Sequence, residues 1–167
     1  MVATATTKVP LGPTTTNRKW QCDIDTGTVS VPAWTGVFGI TEFGPTVEGS
    51  LQDDSDFDGG GWKSQVNTAN QWAIDLKVKR AVKVLTPTSY DTGQEVLRVA
   101  GALTGVSNSV RVRWYEMEPN GPRVEAYSGT AAVTWTEDGG NMEALSFASI
   151  TLTGQGIRNI ITHPGVA

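Results

Sequence analysis

Two strand-like runs separated by a long polar interval dominate the hydropathy pattern of this chain. From Asn70 to Arg80 the residues alternate strictly, with Trp72, Ile74, Leu76 and Val78 on one face and Ala73, Asp75, Lys77 and Lys79 on the other. An earlier run, Trp34 to Phe43, carries Val37, Phe38, Ile40 and Phe43. Period-two alternation predicts half-buried β-strands. Between the runs, from about 46 to 70, the sequence predicts a loop in which Asp53, Asp54, Asp56 and Asp58 crowd ahead of Gly59, Gly60 and Gly61. Connections beyond ~12–15 residues are uncommon in compact domains and tend to be functional or disordered. This one is too polar to fold back as core, so it is expected to contact something outside its own domain.

The remaining pattern adds more strands and one helix. Residues 1–17 hold six Thr, two Pro and no aromatic residue, which predicts a flexible arm unable to offset its ordering entropy by burial. Arg18 to Asp25 alternates, with Trp20, Cys22 and Ile24 opposite Lys19, Gln21, Asp23 and Asp25. A helix is predicted over about 92–104. Thr92-Gly93-Gln94-Glu95 has the capping-box pattern, and Val96, Val99, Ala100 and Leu103 form one apolar stripe. Gly105 sits where that helix would stop. Strands follow at Val110–Trp114, at Val124–Thr136 with a bend at Gly129, and at Ala144–Thr153. The predicted architecture is mainly β: a β-sandwich or open barrel of about seven strands with one packed α-helix. One domain, about 18–156, lies between the arm and a C-terminal tail, 157–167.

Composition narrows the function classes. A chain of 167 residues with 38% hydrophobic content supports one sizeable core. No apolar run approaches the ~20 residues of a membrane helix, so membrane insertion is not expected. The first residues carry no apolar segment of signal-peptide type, and Cys22 is the only cysteine, which together favour a reducing, cytoplasmic birthplace. Acids outnumber bases 17 to 13, and the four Asp of the long loop account for the difference. The body is therefore near neutral. Without a Lys/Arg cluster interleaved with aromatics, gripping nucleic acid by phosphate neutralisation is not expected.

Catalytic chemistry finds little support. Asp54-Ser55-Asp56-Phe57-Asp58-Gly59 matches the first half of a calcium-binding EF-hand loop, making Asp54, Asp56 and Asp58 candidate metal ligands. The match then fails, because the twelfth position is Gln65 and no helix flanks the loop. A solvated or partner-facing acidic loop is the simpler reading. His163, the only histidine, falls in a tail expected to be mobile, where a catalytic triad could not be held rigidly. Glu116 and Glu118 lie on one strand end beside a turn, a place for solvated charges rather than a glycosidase pair. No enzyme and no cofactor is expected. Among the six Trp, Trp20, Trp72 and Trp114 fall in phase with apolar faces and are expected in the core. Trp62, after the glycines, either anchors the loop on its own domain or inserts into a neighbouring subunit, as buried aromatic anchors do at many interfaces.

Taken in order, several segments resemble the major tail tube proteins of long-tailed bacteriophages, especially those of actinobacterial hosts. These are Trp34-Thr-Gly-Val-Phe-Gly-Ile-Thr-Glu-Phe43, the loop Gln52-Asp-Asp-Ser-Asp-Phe-Asp58 with Trp62, and the strand around Trp72. Val110-Arg-Val-Arg-Trp-Tyr115 and Ile150-Thr-Leu-Thr-Gly-Gln-Gly156 complete the set. The resemblance spans roughly 18–156. It implies a virion protein assembled into hexameric rings, stacked so that inner sheets join into a continuous barrel around a lumen. Phage DNA would pass through that lumen without sequence-specific binding. It further implies a tape-measure protein in the lumen and tail-tip, initiator and terminator proteins as partners, with assembly in the host cytoplasm. Ring stacking would fall to the long loop and the terminal arms, placing Asp53, Asp54, Asp56, Phe57, Asp58 and Trp62 at a subunit interface. The alternative from a different class is a Trp-rich β-sandwich binding module for carbohydrate or calcium, such as a virion decoration protein.

Overall fold

The structure, a computed structural model, describes residues 9–165. The first eight residues of the predicted arm and the last two of the predicted tail lie outside it. Among the described residues, eight strands and one α-helix follow in chain order: β1 (Trp20–Asp25), β2 (Trp34–Gly36), β3 (Ile40–Asp53), β4 (Gln65–Lys79), α1 (Thr92–Gly101), β5 (Ser109–Glu116), β6 (Ala126–Glu137), β7 (Phe147–Gly154) and β8 (Asn159–Ile160). One antiparallel sheet contains them in the order β2-β1-β5-β6-β7-β4-β3, with β8 added beside β6. The mainly β architecture with a single helix is as the sequence predicts.

The sheet rolls up because its apolar faces must meet each other. Trp72 of β4 stacks on Trp114 of β5 with ring centroids 5.1 Å apart, and Trp20 of β1 meets Phe43 of β3 at 5.8 Å. Those strands are far apart in the sheet order, so the contacts mark closure into an open barrel. Strand β6 makes the corner. It pairs with β5 from Ala126 to Ala132 on one side; on the other it pairs first with β8 at Tyr127 and Ser128 and then with β7 from Ala131, with Gly129 between those two ladders. All four apolar residues of the alternating run, Trp72, Ile74, Leu76 and Val78, lie in the core with Cys22, Ile24, Val112, Ile150 and Leu152. Burial pushes the Cys22 thiol far up, so it stays protonated and inert.

The helix covers the remaining opening, but in a different orientation from the predicted one. Its N-cap is Asp91, whose Oδ2 accepts from the Gln94 amide at 3.0 Å, one residue ahead of Thr92. Its buried side is Gly93, Gln94, Leu97 and Ala100, with Val96 partly buried against the core; of the predicted stripe, Val99 and Leu103 are about half exposed. Close approach decides this. A Cβ on Gly93 would lie 2.6 Å from the Gly36 carbonyl oxygen, and one on Gly101 would lie 2.8 Å from Trp135 Cβ. The small side of the helix is therefore the one that reaches the sheet. Gln94 then ties the barrel seam, donating from Nε2 to the carbonyls of Phe38 (2.7 Å) and Lys79 (3.1 Å). Arg80 donates to Gln94 Oε1 at 3.1 Å, so the buried amide is engaged at both ends. Gly105, expected to stop the helix, instead opens a short 3-10 turn at φ +62°.

Two charged groups expected to be solvated or mobile are fixed. Glu116 is buried, with Lys19 Nζ 2.6 Å from Oε1 and the amides of Val124 and Glu125 donating to Oε2 at 3.0 and 3.1 Å. His163 is held by the strand end: Gly165 N donates to Nδ1 at 3.1 Å, leaving Nε2 protonated to donate to the Glu116 carbonyl at 2.6 Å. With β8 paired to β6, the chain to Gly165 packs back on the domain. Burial raises the Glu116 carboxyl, but Lys19 and the two amides outweigh it and hold it below the usual range. Its stabilisation is thus complete above the unfolded value of about 4.3 and is lost as pH falls through the lower folded value. Glu116→Ala should cost about 3 kcal/mol at neutral pH, since it leaves Lys19 and two amides unpaired. Urea titrations from pH 6 down to 3 should show the difference between wild type and variant shrinking with acid; a constant difference would refute the assignment.

Candidate functional site

The two ends of the sheet order are open. Strand β2 pairs only with β1, and β3, 14 residues long, pairs only with β4. An edge of that length presents a row of unpaired backbone donors and acceptors, a template for another chain. Pro45 within β3 is compatible with an edge, where one missing N–H faces away from the partner.

The interval expected as a loop over about 46–70 is mostly ladder. Registered pairs run from Ile40↔Val78 out to Asp53↔Gln65, so the loop itself shrinks to residues 54–64. From Thr46 outward and back to Gln71 every residue is exposed, so this part of the hairpin stands off the body. From Val47 to Asp53 that is a reach of ~24 Å before the tip. The strands persist without a core through backbone pairing and side-chain bonds such as Thr68 Oγ1 to the Ser50 carbonyl (3.1 Å).

All six residues singled out in the loop come together at this tip. Asp53 Oδ1 accepts from the Ser55 amide at 2.9 Å, and Asp56 Oδ1 accepts from the Asp58 amide at 3.1 Å, capping a 3-10 turn over Phe57–Gly59. Ser64 N donates to Ser55 Oγ at 2.9 Å, closing the loop base. The bonds from Ser55, first its hydroxyl and then its amide, hold the Asp53 carboxyl below the usual range. Among the described residues, no group of three or more His, Cys, Asp or Glu is placed to hold a metal ion. The acids instead fix the turn, and the turn presents the aromatics. Phe57 is fully exposed and Trp62 is 85% exposed, so Trp62 does not anchor the loop on its own domain.

At the other end of β4 lies a feature that the sequence did not announce. The strand stops at Lys79, close to the Arg80 limit of the alternating run, and residues 80–91 form a connection that carries the isolated bridge Val82↔Tyr90. Phe38, Val82, Val84 and Leu85 are exposed there around a cavity of about 800 Å³. The run Val82-Lys83-Val84-Leu85 was a signal for it, but an apolar run reads equally well as the end of a buried strand. On the outer face of β4, Lys77 pairs with Asp138 at 2.7 Å, and Asp75 accepts from Thr151 Oγ1 at 2.7 Å. Lys79 has no ion pair among the described residues.

No protein family and no curated protein matches this sequence. Solved structures do. The fold is similar to a chain from the tail of an empty gene transfer agent (GTA) particle of C6 symmetry, with a TM-score of 0.63 and 9% identity over 89% of this chain and 100% of that one. It is also similar to a chain from the virion of a native GTA particle, with a TM-score of 0.60 and 8% identity over the same shares. At such identities the likeness is one of fold, shared with a chain of a GTA tail and a chain of a GTA virion.

Proposed function

We propose that this protein is a structural subunit of a phage-type tail, assembling into hexameric rings that stack as a hollow tube for genome delivery. The observation that supports it most directly is the unpaired 14-residue edge of β3, continuous with a hairpin that stands clear of the body. Pairing that edge with the β2 side of a neighbour would continue the sheet around a ring and remove both open edges. A head-to-tail interface of this kind closes into rings or extends into filaments. The shared fold and the C6 symmetry of the GTA tail fit six copies per ring. A body whose acids and bases nearly balance outside the hairpin tip supports passage of DNA without tight binding, since phosphate neutralisation needs a net excess of bases. The tape-measure, tip and terminator proteins are the partners this role requires, and the virion is its location.

Negative-stain electron microscopy of the purified protein across a concentration series tests the proposal. Rings or hollow tubes should appear as concentration rises, or on adding a tail-tip complex. A strictly monomeric protein under both conditions would refute it and bring forward a glycan or calcium-binding role for the exposed tip aromatics.

A further inference from the structure

We infer that the cavity at the base of β4 is the socket for the hairpin tip of a second copy of this chain in the next ring. The inference rests on the tube reading and adds the surface that receives the arm. Its first support is placement. The tip caps the Gln65 end of β4, whereas Phe38, Gly39, Lys79, Val84 and Leu85 line the cavity at the Lys79 end. Fifteen residues at ~3.3 Å each separate these ends by ~50 Å, so a chain cannot fill its own socket. Copies stacked head to tail along β4 bring each tip to the next copy's cavity.

Chemistry is the second support. The tip presents two exposed aromatics, Phe57 and Trp62, in a loop that carries Asp53, Asp54, Asp56 and Asp58 against the one base Lys63. The socket presents Phe38, Val82, Val84 and Leu85 with Lys79 and Lys83 at its rim. Neither lysine has an ion pair among the described residues; Lys83 Nζ donates only to Thr92 Oγ1, at 2.7 Å. Asp91, the acid in the lining, is occupied by the Gln94 amide. Acid around aromatics thus meets base around aliphatics.

The groove between α1 and the ends of β1 and β5, about 600 Å³, is a poorer fit. Its charges are already matched, Arg111 with Asp25 and Arg98 with Glu95, so it offers no free cation to an acidic tip.

Disulfide trapping tests the socket in the full chain. Lys63→Cys and Val84→Cys leave the named aromatics and the rim lysines in place, and the wild-type Cys22 is buried. The double variant, assembled and oxidised, should run as a ladder of covalent oligomers on a non-reducing gel, and neither single variant should. Trp62→Ala and Leu85→Asp should each raise the concentration needed for stacking about 30-fold or more, the effect of losing an interface anchor. Combining Lys79→Glu and Lys83→Glu with Asp54→Lys and Asp58→Lys, which spare the Asp53 and Asp56 side chains that fix the turn, should restore stacking that either pair alone abolishes. Tubes that form normally yet give no ladder, and that tolerate Leu85→Asp, would overturn the socket while leaving the tube reading intact. Wild-type protein that forms neither rings nor tubes would overturn both.

Discussion

Replacing Gly154 with alanine should destabilise the domain by about 3 kcal/mol, and Gly129→Ala should do nearly as much. A Cβ on Gly154 would lie 2.4 to 2.6 Å from three atoms of the Trp72 indole, and one on Gly129 would lie 2.4 Å from its Cζ2. The indole cannot retreat. It is stacked on Trp114 and its Nε1 donates to the Gly156 carbonyl at 3.0 Å, with Ile74 and Leu152 packed beside it in the core. For a domain of ordinary stability, ~5–15 kcal/mol, this is a large share of the total. Urea midpoints should fall accordingly, while Gly139→Ala, with nothing within 4 Å of the added carbon, should leave them unchanged. Trp72→Phe should recover part of the Gly154→Ala loss, because the two sites share one volume and their effects cannot add. Additive losses would show that the alanine acts elsewhere.

Excising the hairpin should have the opposite profile, with folding kept and assembly lost. Joining Val47 to Trp72 through a two-residue Asn-Gly turn preserves the last registered pair at the body and supplies a turn that matches strand twist. The residues removed are all exposed, so stability should change by no more than about 1 kcal/mol. Polymerisation should vanish even at concentrations where the wild type forms tubes. Thermal melts followed by circular dichroism would confirm the fold, and electron microscopy would read assembly. Tubes of normal length from the excised protein would count decisively against any stacking role for the arm.

The parts of the fold legible in the sequence were those in which one face is buried. From Trp72 onward in β4, and in β5 from Val110 to Trp114, every second residue is apolar, and the core members of these strands are the residues that the alternation named. The projecting half of the hairpin buries nothing, so Val47, Leu51 and Val66 alternate with no consistent partner and the ladder reads as a loop. Its limits were nevertheless close, since the exposed stretch runs from Thr46 to Gln71. The helix was found with half its predicted stripe in place: Val96 and Ala100 pack on the core, while Val99 and Leu103 give way to Gly93, Gln94 and Leu97, because glycines at 93 and 101 look like weak helix residues rather than points of closest approach. Glu116 and His163 were missed as fixed groups for a similar reason: their partners, Lys19 and the strand-end carbonyl, are contacts of tertiary structure alone. The tip residues lie close together in the chain, so Asp53, Asp54, Asp56 and Asp58 could be grouped with Phe57 and Trp62 before the hairpin was seen. The socket could not be, because exposed valines and leucines carry no mark of exposure in sequence.

The sheet order also separates events in time. Asp23 and Arg113, bonded across β1 and β5, are 90 residues apart in the chain, and Asp75 and Thr151, bonded across β4 and β7, are 76 apart. Domains built on such distant pairings fold in milliseconds to seconds, whereas a local hairpin zips in ~1–10 μs. On a growing chain the β3–β4 arm therefore samples its final shape well before β5 to β7 have been made. The socket at its base rests on Gln94 and the seam, which exist only once the whole barrel has closed. If the arm and the socket are plug and receptor, every unfinished chain carries the plug without the receptor, and the slow step of folding sets the moment at which a subunit can extend a polymer.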